Sequence, residues 1–349
     1  MTSILIACAA LAAPPKLDQS TAAGIWTKPA VPLLDNDAAW KHLPPTTTPR
    51  GGPLPSWARM LAGSLPNTTA AMLEFDRIHR TESPLDPTLR ARLRWRIAEA
   101  NRCEYTKQAA LFDLKNTKPA AGEVDALSKG DDSSFASLPL RDRQALDFVQ
   151  QLTLKGAELT DQQFAYVLKE FGEKQTVAIV LLTAGANWQD RLFLSLGVPL
   201  EPDAPMAAID FRLDKSVSDD DKPEAPERVL PTNPPREDWT PAEAFGSDWG
   251  ERNLKELRGE MEKQKARAPR IRIPSAEEYL AATAKMPTKA GQPRRVPKIV
   301  WTQVCSGYQP ELAAAWGGNT GSFRTDARQD RVFEESLFWI VTRSIDCFY

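Results

Sequence analysis

The stretch LRWRIAEANRCEY, at Leu93–Tyr105, sets a pattern that returns at the end of the chain as LFWIVTRSIDCFY, at Leu337–Tyr349. Both stretches place a Leu, a Trp, a Cys and a Tyr at equivalent positions, 244 residues apart. The same offset, extended towards the N-terminus without a gap, pairs further residues: Trp57 with Trp301, Gly63 with Gly307, Pro66 with Pro310, Arg80 with Arg324, and Asp86 with Asp330. Because Trp, Cys, Gly and Pro are infrequent residue types, these matches predict one structural unit present in two copies.

The apolar pattern of the first copy predicts a helix. Apolar residues recur at spacings of four, four and three: Leu89, Leu93, Ile97 and Ala100. This is the period of one helix face. Asp86 followed by Pro87 is a typical helix start, because the carboxylate accepts an early N–H and proline has none to satisfy. We expect this helix to continue through Cys103, which places the thiol on or beside the buried face, and we expect Asn67 to cap the preceding helix.

Two further segments predict long helices. One covers Leu140–Leu154, and the next covers Thr160–Phe171, where the side chain of Thr160 is expected to form a capping box with Gln163. The apolar segment Thr176–Ala184 contains VAIVLL, which alone fits a buried strand, but it continues to Gly197. That length favours a buried helix that ends at the glycine. The fold class predicted from these segments is all-α.

The distribution of proline predicts the domain organisation. A chain of 349 residues is long for one ordinary domain. Its 29 prolines cluster between apolar segments, as in helices joined by stiff, extended connectors. We therefore predict tandem helical units with Pro-rich linkers in five segments: a signal-like segment and extended arm over 1–53, a first helical unit over 54–201, a Pro-rich acidic linker over 202–239, a charged helix and linker over 240–296, and a partial second helical unit over 297–349.

The composition argues against two kinds of partner. Lys and Arg total 44 and Asp and Glu total 46, which gives a net charge of −2. No overall charge therefore attracts the chain to nucleic acid or to an anionic membrane. No stretch approaches the roughly twenty apolar residues of a membrane-spanning helix. We predict neither nucleic-acid binding nor a membrane span.

The N-terminus leaves the location of the protein open. MTSILIACAALAAPP contains an apolar run and small residues like those of a short signal peptide, and Leu5–Cys8 resembles a bacterial lipoprotein cleavage box. Yet no Lys or Arg precedes the run, although a secretory signal normally begins with one. Export and a cytoplasmic location are both compatible with this segment.

The sequence predicts no cofactor and no metal ion. Its two histidines, His42 and His79, do not lie at metal-ligand spacing with a cysteine. Glycine-rich phosphate-binding loops are absent from the sequence as well.

The repeated cysteine suggests thiol chemistry. Two cysteines three positions apart on a helix place their sulfurs one turn apart, close enough to exchange between dithiol and disulfide, and a His one turn further can take the thiol proton. After Cys103, Thr106 stands at the position of the second thiol and Ala110 at that of the base. After Cys347, the position of the second thiol falls one residue beyond Tyr349, so this site is expected to be complete only in a chain that continues further.

These features resemble the carboxymuconolactone decarboxylase and alkylhydroperoxidase D superfamily. Its members are all-helical, and their signature is a Glu, then about twelve residues later Cys-x-x-Cys, and then a His. The first copy resembles it over 54–201, including NWQDRLFLSLGVPLE, and the second from 297 to the end. Glu335 lies twelve residues before Cys347, as the proton-relay Glu of the family does, whereas the equivalent position before Cys103 is Ala91.

The resemblance implies an antioxidant, peroxiredoxin-type activity. In the family, the second thiol attacks a hydroperoxide, the first resolves it as a disulfide, and a thiol or disulfide reductant restores the pair. Cys103 and Cys347 both match the resolving thiol and Glu335 matches the relay acid, while the attacking thiol and the His have no match in the sequence. Cys103 is therefore expected to be inactive, and the active copy is expected to be the C-terminal one.

Two functional hypotheses follow. The first is a thiol peroxidase, or related oxidoreductase, that uses Cys347 and Glu335. The second is a catalytically inactive helical scaffold or oligomerisation module, which the substitutions Ala91, Thr106 and Ala110 around Cys103 favour. Since units of this superfamily commonly associate through helix packing, the resemblance implies a homo-oligomer in either case.

Overall fold

The computed structural model describes residues 31–214, 254–288, 293–327 and 330–344. Regular structure in these residues is helical, apart from one antiparallel bridge between Thr46 and Leu213. The predicted all-α class is confirmed. None of the helices in these ranges is long enough and apolar enough to cross a membrane.

The helices are numbered in chain order. The first eight are α1 Asn36–His42, α2 Ser56–Leu61, α3 Pro66–Arg77, α4 Pro87–Asn101, α5 Glu104–Lys115, α6 Glu123–Ser128, α7 Leu140–Lys155 and α8 Asp161–Leu196. A π-helical turn, Ile78–Glu82, follows α3, and 3₁₀ turns cover Ser133–Ser137 and Gly156–Glu158. The remaining helices are α9 Leu254–Lys265, α10 Ala276–Ala282, α11 Val300–Tyr308, α12 Pro310–Ala327 and α13 Arg331–Ser344.

The described residues form two compact units. The first compact unit lies within Met1–Ala225 and Arg270–Arg328 and contains α1 to α8 and α10 to α12. The second lies within Pro226–Pro269 and Gln329–Tyr349 and contains α9 and α13. Helix α1 lies inside the segment expected to be an extended arm. Phe211, inside the segment expected to be a linker, is fully buried in the first compact unit and stacks on Trp40.

Helix α4 lies in the middle of the first compact unit, where it contacts α5, α7 and α8. Leu93, Trp95 and Ile97 are completely buried, and Trp95 meets Phe135 edge to face. Burial thus extends beyond the single face that the sequence pattern defines, which is why this helix has little amphipathic character.

Helix α4 ends before Cys103, so the predicted continuous helix is wrong at this point. Arg102 adopts a left-handed conformation with φ of 58°. The N–H of Arg102 bonds to the carbonyl of Glu99, and the N–H of Cys103 bonds to that of Ala98. This is the Schellman ending of a helix, here made without the usual glycine. Cys103 consequently becomes the N-cap residue of α5.

Helix α8 follows the sequence prediction closely. Thr160 and Gln163 form the expected capping box, and Gly197 ends the helix in a left-handed conformation. The two predicted helices join across a kink at Gly172, whose φ is 69°. A positive φ at this point costs glycine little, so the chain turns there without strain from a side chain.

Three helices begin 244 residues after three others. The starts of α2 and α11, of α3 and α12, and of α4 and α13 all obey this offset. Leu65 and Gln309, which precede α3 and α12, have nearly equal φ and ψ, −136° and 62° against −139° and 66°. Asp86 accepts from the N–H of Leu89 at 3.0 Å, as Asp330 accepts from that of Phe333 at 3.0 Å. The starts of these helices are therefore separated by the same 244 residues as the matching residues in the sequence.

A buried carboxylate joins α12 to α3. Asp326, near the end of α12, is 5% exposed. It accepts from Asn67 Nδ2 at 2.8 Å, from Thr68 N–H at 2.7 Å and from Thr68 Oγ1 at 2.8 Å. Asn67 is therefore not the N-cap that the sequence predicts, since α3 begins at Pro66 and Leu65 makes no side-chain cap. The unsatisfied N–H groups and partial positive charge of a helix start favour a carboxylate at this point.

Asp326→Ala should destabilise the first compact unit. The change leaves three donors without their acceptor in a buried place, so the free energy of unfolding should fall by about 3 kcal/mol, measured by urea denaturation. Asp35→Ala is the matched control, because Asp35 caps the exposed start of α1 through one bond to Ala38 N–H at 2.7 Å. Its loss should cost about 1 kcal/mol. Equal losses in the two variants would contradict the role given to Asp326.

Candidate functional site

Two adjoining cavities in the first compact unit form what we call the arginine cleft. The smaller cavity has a volume of about 40 Å³ and the larger one about 210 Å³. The two share five lining residues: Asp76, Arg80, Arg94, Asp113 and Gln189. These residues come from α3, the π-helical turn, α4, α5 and α8, so the cleft exists only because these elements pack together.

Three positions singled out in the sequence lie on this cleft. Ala91 lines the larger cavity, and Thr106 and Ala110 line the smaller one. At these positions the resemblance expects the relay Glu, the attacking Cys and the His. The side chains present there supply no acid, thiol or imidazole.

Cys103 lies behind the cleft instead of in it. The side chain is 2% exposed and belongs to a core cluster with Trp57, Leu73 and Phe193. Burial raises the pKa of its thiol, and the nearby carboxylate of Asp190 raises it further. A buried thiol that resists ionisation is a poor nucleophile.

Asp190 is the centre of a buried polar cluster behind the cleft. Its side chain is fully buried and accepts from Arg94 Nη2 at 2.8 Å, from Thr106 Oγ1 at 2.6 Å and from Asn101 Nδ2 at 2.9 Å. Arg94 and Asn101 belong to α4, Thr106 belongs to α5, and the acceptor Asp190 belongs to α8. The hydroxyl of Thr106 is therefore committed to a structural bond.

Arg80 is fully engaged by acidic neighbours. Its guanidinium binds both oxygens of Asp113, at 2.8 and 2.7 Å, and one oxygen of Asp76, at 3.0 Å. It also donates to the carbonyl of Met206 at 3.0 Å. Burial alone would lower the pKa of Arg80, but Asp76 and Asp113 outweigh it and raise the pKa. This arginine is a fixed part of the wall.

His79 is a buried, neutral imidazole on the wall of the larger cavity. It is 5% exposed, and its ring lies 4.1 Å from that of Phe75. Burial lowers its pKa from 6.5 to about 3, and the positive charges of Arg94 and Arg90 add to this effect. Its Nε2 has no hydrogen-bond partner in the part of the chain that the structure describes.

Tyr105 and Glu201 close the smaller cavity. The hydroxyl of Tyr105 donates to Glu201, which also accepts from the N–H and the hydroxyl of Ser56 at 2.7 and 2.9 Å. Burial and then Glu201 raise the pKa of Tyr105, so the phenol remains protonated. Through Glu201, the segment that follows α8 is hydrogen-bonded to Ser56 of α2 and to Tyr105 of α5.

The structure describes one of the two other predicted site residues. Glu335 is exposed on α13, in the second compact unit. Cys347 lies outside the described residues. Over the described ranges, no three His, Cys, Asp or Glu side chains are grouped so as to hold a metal ion.

Sequence reasoning missed the residues that give the cleft its charge. Arg80 and Arg94 lie in runs of mixed polarity that look like solvated helix faces, and only the tertiary structure brings them together. Asp190 did leave a signal, because it is the one acidic residue in the predominantly apolar run from Thr176 to Gly197. Buried charges of this kind are uncommon unless they are paired.

Comparison with known proteins gives no further assignment. No protein-family model matches the chain, and no curated protein matches it either.

His79 should make stability depend on pH. Between pH 6.5 and about 3 only the unfolded chain takes up a proton on this residue, so the free energy of unfolding should fall as the pH falls. Between pH 6.5 and pH 4, the wild-type protein should lose about 3 kcal/mol more than His79→Leu, measured by urea denaturation at each pH. His42→Gln, at an exposed site, is the control and should behave as wild type. A His79→Leu profile parallel to that of the wild type would refute this.

Cys103 should react with thiol reagents only after unfolding. Because the thiol is buried and its pKa is raised, brief treatment of the native protein with iodoacetamide should leave it unmodified, while denaturant should expose it. Peptide mass spectrometry reads the modification at each cysteine. Rapid native alkylation of Cys103 would show that the site opens and that our view of it is wrong.

Proposed function

We propose that the protein is a thiol-dependent peroxidase, or related oxidoreductase, resembling the carboxymuconolactone decarboxylase and alkylhydroperoxidase D superfamily. In this proposal Cys347 and Glu335 of the second copy carry the redox chemistry. The first copy has the same helical framework but performs no thiol chemistry. The chain acts as a homo-oligomer, as the resemblance implies.

The observation that carries the proposal is the position of three residues on one cleft. Ala91, Thr106 and Ala110 belong to two helices, yet all three line the arginine cleft. These are the positions where the resemblance expects catalytic side chains. Their convergence supports the resemblance independently of the residue types that occupy them.

The helix offset extends this argument to the second copy. Helix α13 begins 244 residues after α4, with an equivalent aspartate cap, and Glu335 on α13 corresponds to Ala91 on α4. Ala91 lines the arginine cleft of the first copy. By the repeat, Glu335 stands at the equivalent position of the second copy, and we propose that it lines the equivalent site there. A glutamate at such a position suits proton transfer to a leaving oxygen.

The chemistry can be written with a thiol donor. The Cys347 thiolate attacks the terminal oxygen of a hydroperoxide, an S–O bond forms as the O–O bond breaks, and the alcohol leaves with a proton from Glu335. The sulfenic acid condenses with one donor thiol and releases water. A second donor thiol then reduces the mixed disulfide and leaves as the donor disulfide. In this scheme Cys347 acts as the attacking thiol, and the donor takes the part of the resolving thiol.

A second candidate function is a catalytically inactive helical scaffold. The burial of Cys103 and the absence of a lining thiol from the arginine cleft, within the described residues, favour it for the first copy. The two candidates differ in whether Cys347 turns over peroxide.

Peroxide consumption by the full-length protein tests the proposal. With tert-butyl hydroperoxide and dithiothreitol, Cys347→Ala should abolish protein-dependent turnover. Glu335→Gln should lower kcat by about a hundredfold or more, as expected when a general acid is removed. Cys103→Ala is the matched control and should turn over as wild type does. No turnover in the wild type, or full turnover in Cys347→Ala, would reject the peroxidase and leave the scaffold.

A further inference from the structure

We infer that the larger cavity of the arginine cleft binds a small monocarboxylate with an apolar body. The cavity, with its volume of about 210 Å³, accommodates one small organic molecule. This role belongs to the first copy and is separate from the peroxide chemistry proposed for the second.

The charged side chains that line the cavity favour a ligand with a single negative charge. Three arginines and two aspartates line the cavity: Arg80, Arg90, Arg94, Asp76 and Asp113. Arg80 is already occupied by both aspartates. Arg94 is paired with Asp190 behind the wall, so Arg90 is the lining arginine that makes no ion pair within the described residues, and one carboxylate group on a ligand would supply its partner. The two aspartates oppose a second negative charge, since like charges at short range repel strongly in a poorly solvated site.

Arg90 is the lining arginine without an ion pair among the described residues. Its guanidinium is half-buried and donates to the carbonyl of Ser83 at 3.3 Å. Within the described residues it makes no ion pair; burial lowers its pKa, and the charges of Asp113 and Asp86 only partly offset this. A partly desolvated cation gains free energy from a carboxylate that enters the cavity, because the charge-assisted hydrogen bonds replace lost hydration.

Two further polar atoms beside the cavity lack partners. Arg94 binds Asp190 through Nη2, while its Nη1 has no hydrogen bond among the described residues. The same holds for Nε2 of the buried His79. Buried polar atoms are almost always satisfied in native proteins, so unsatisfied atoms around one cavity point to a ligand that completes them.

Part of the cavity wall is apolar. Phe75, Leu182 and Ala186 line it, together with Ala91 on the side of α4. An apolar group gains from leaving water for such a surface. The ligand is therefore a carboxylate joined to a hydrocarbon or aromatic group, which separates it from inorganic anions.

Calorimetric titration of the full-length protein tests this inference, with benzoate as the probe. Benzoate should bind, while the uncharged analogue benzamide and inorganic phosphate should bind at least about tenfold more weakly. Equal binding of benzamide or phosphate, or no benzoate binding at millimolar concentrations, would overturn the inference.

Variants locate the binding. Arg90→Gln should weaken benzoate affinity about tenfold to a hundredfold, while Arg143→Gln, an exposed arginine on α7, should leave it unchanged. Ala91→Val narrows the cavity without changing its charge and should also weaken binding, which keeps the test valid if Arg90→Gln fails to fold. Unchanged affinity in Ala91→Val, or in a folded Arg90→Gln, would overturn the inference. The peroxide assay is unaffected by either result, so the two proposals fail separately.

Discussion

The carboxylate of Asp326 is the contact on which the arrangement of the first compact unit depends. It lies near the end of α12 and accepts hydrogen bonds at the start of α3, 258 residues earlier in the chain. A buried carboxylate needs donors, and a helix start has donors without partners, so each end satisfies the other. Helix α3 then leads directly into the π-helical turn that carries His79 and Arg80. The same contact therefore positions one wall of the arginine cleft.

Aromatic packing fixes the opposite end of α3. Phe75 packs against Trp188 of α8 and Trp316 of α12, with ring centroids 6.0 and 5.9 Å away. A Cβ on Gly185 would lie 2.5 Å from the ring of Phe75, so α8 approaches α3 this closely only because a glycine stands there. The close approach brings the next turn of α8, with Asp190, beside the cleft. Packing in the core thus determines where the buried charges meet.

Local signals account for the helices, and long-range contacts account for the cleft. The buried face of α4, the capping box at Thr160 and the end of α8 at Gly197 follow from periodicity and capping chemistry alone. The end of α4 does not, because Arg102 adopts a conformation that usually requires glycine, and no residue type marks it. The partners of Asp190 lie 84 to 96 residues away in the chain. No short stretch of sequence contains that cluster.

The two proposed roles have a common origin at one position of the repeat. In the second copy this position is Glu335, and in the first it is Ala91, on the wall that Arg90 and Arg94 also line. A carboxylate at residue 91 would neutralise this wall from within and fill part of the cavity. Alanine leaves both the positive charge and the space to a ligand. Under the two proposals, Ala91 both leaves the first copy without the proton-relay residue and leaves it the space and the charge for an anion, so the first copy has a binding role of its own.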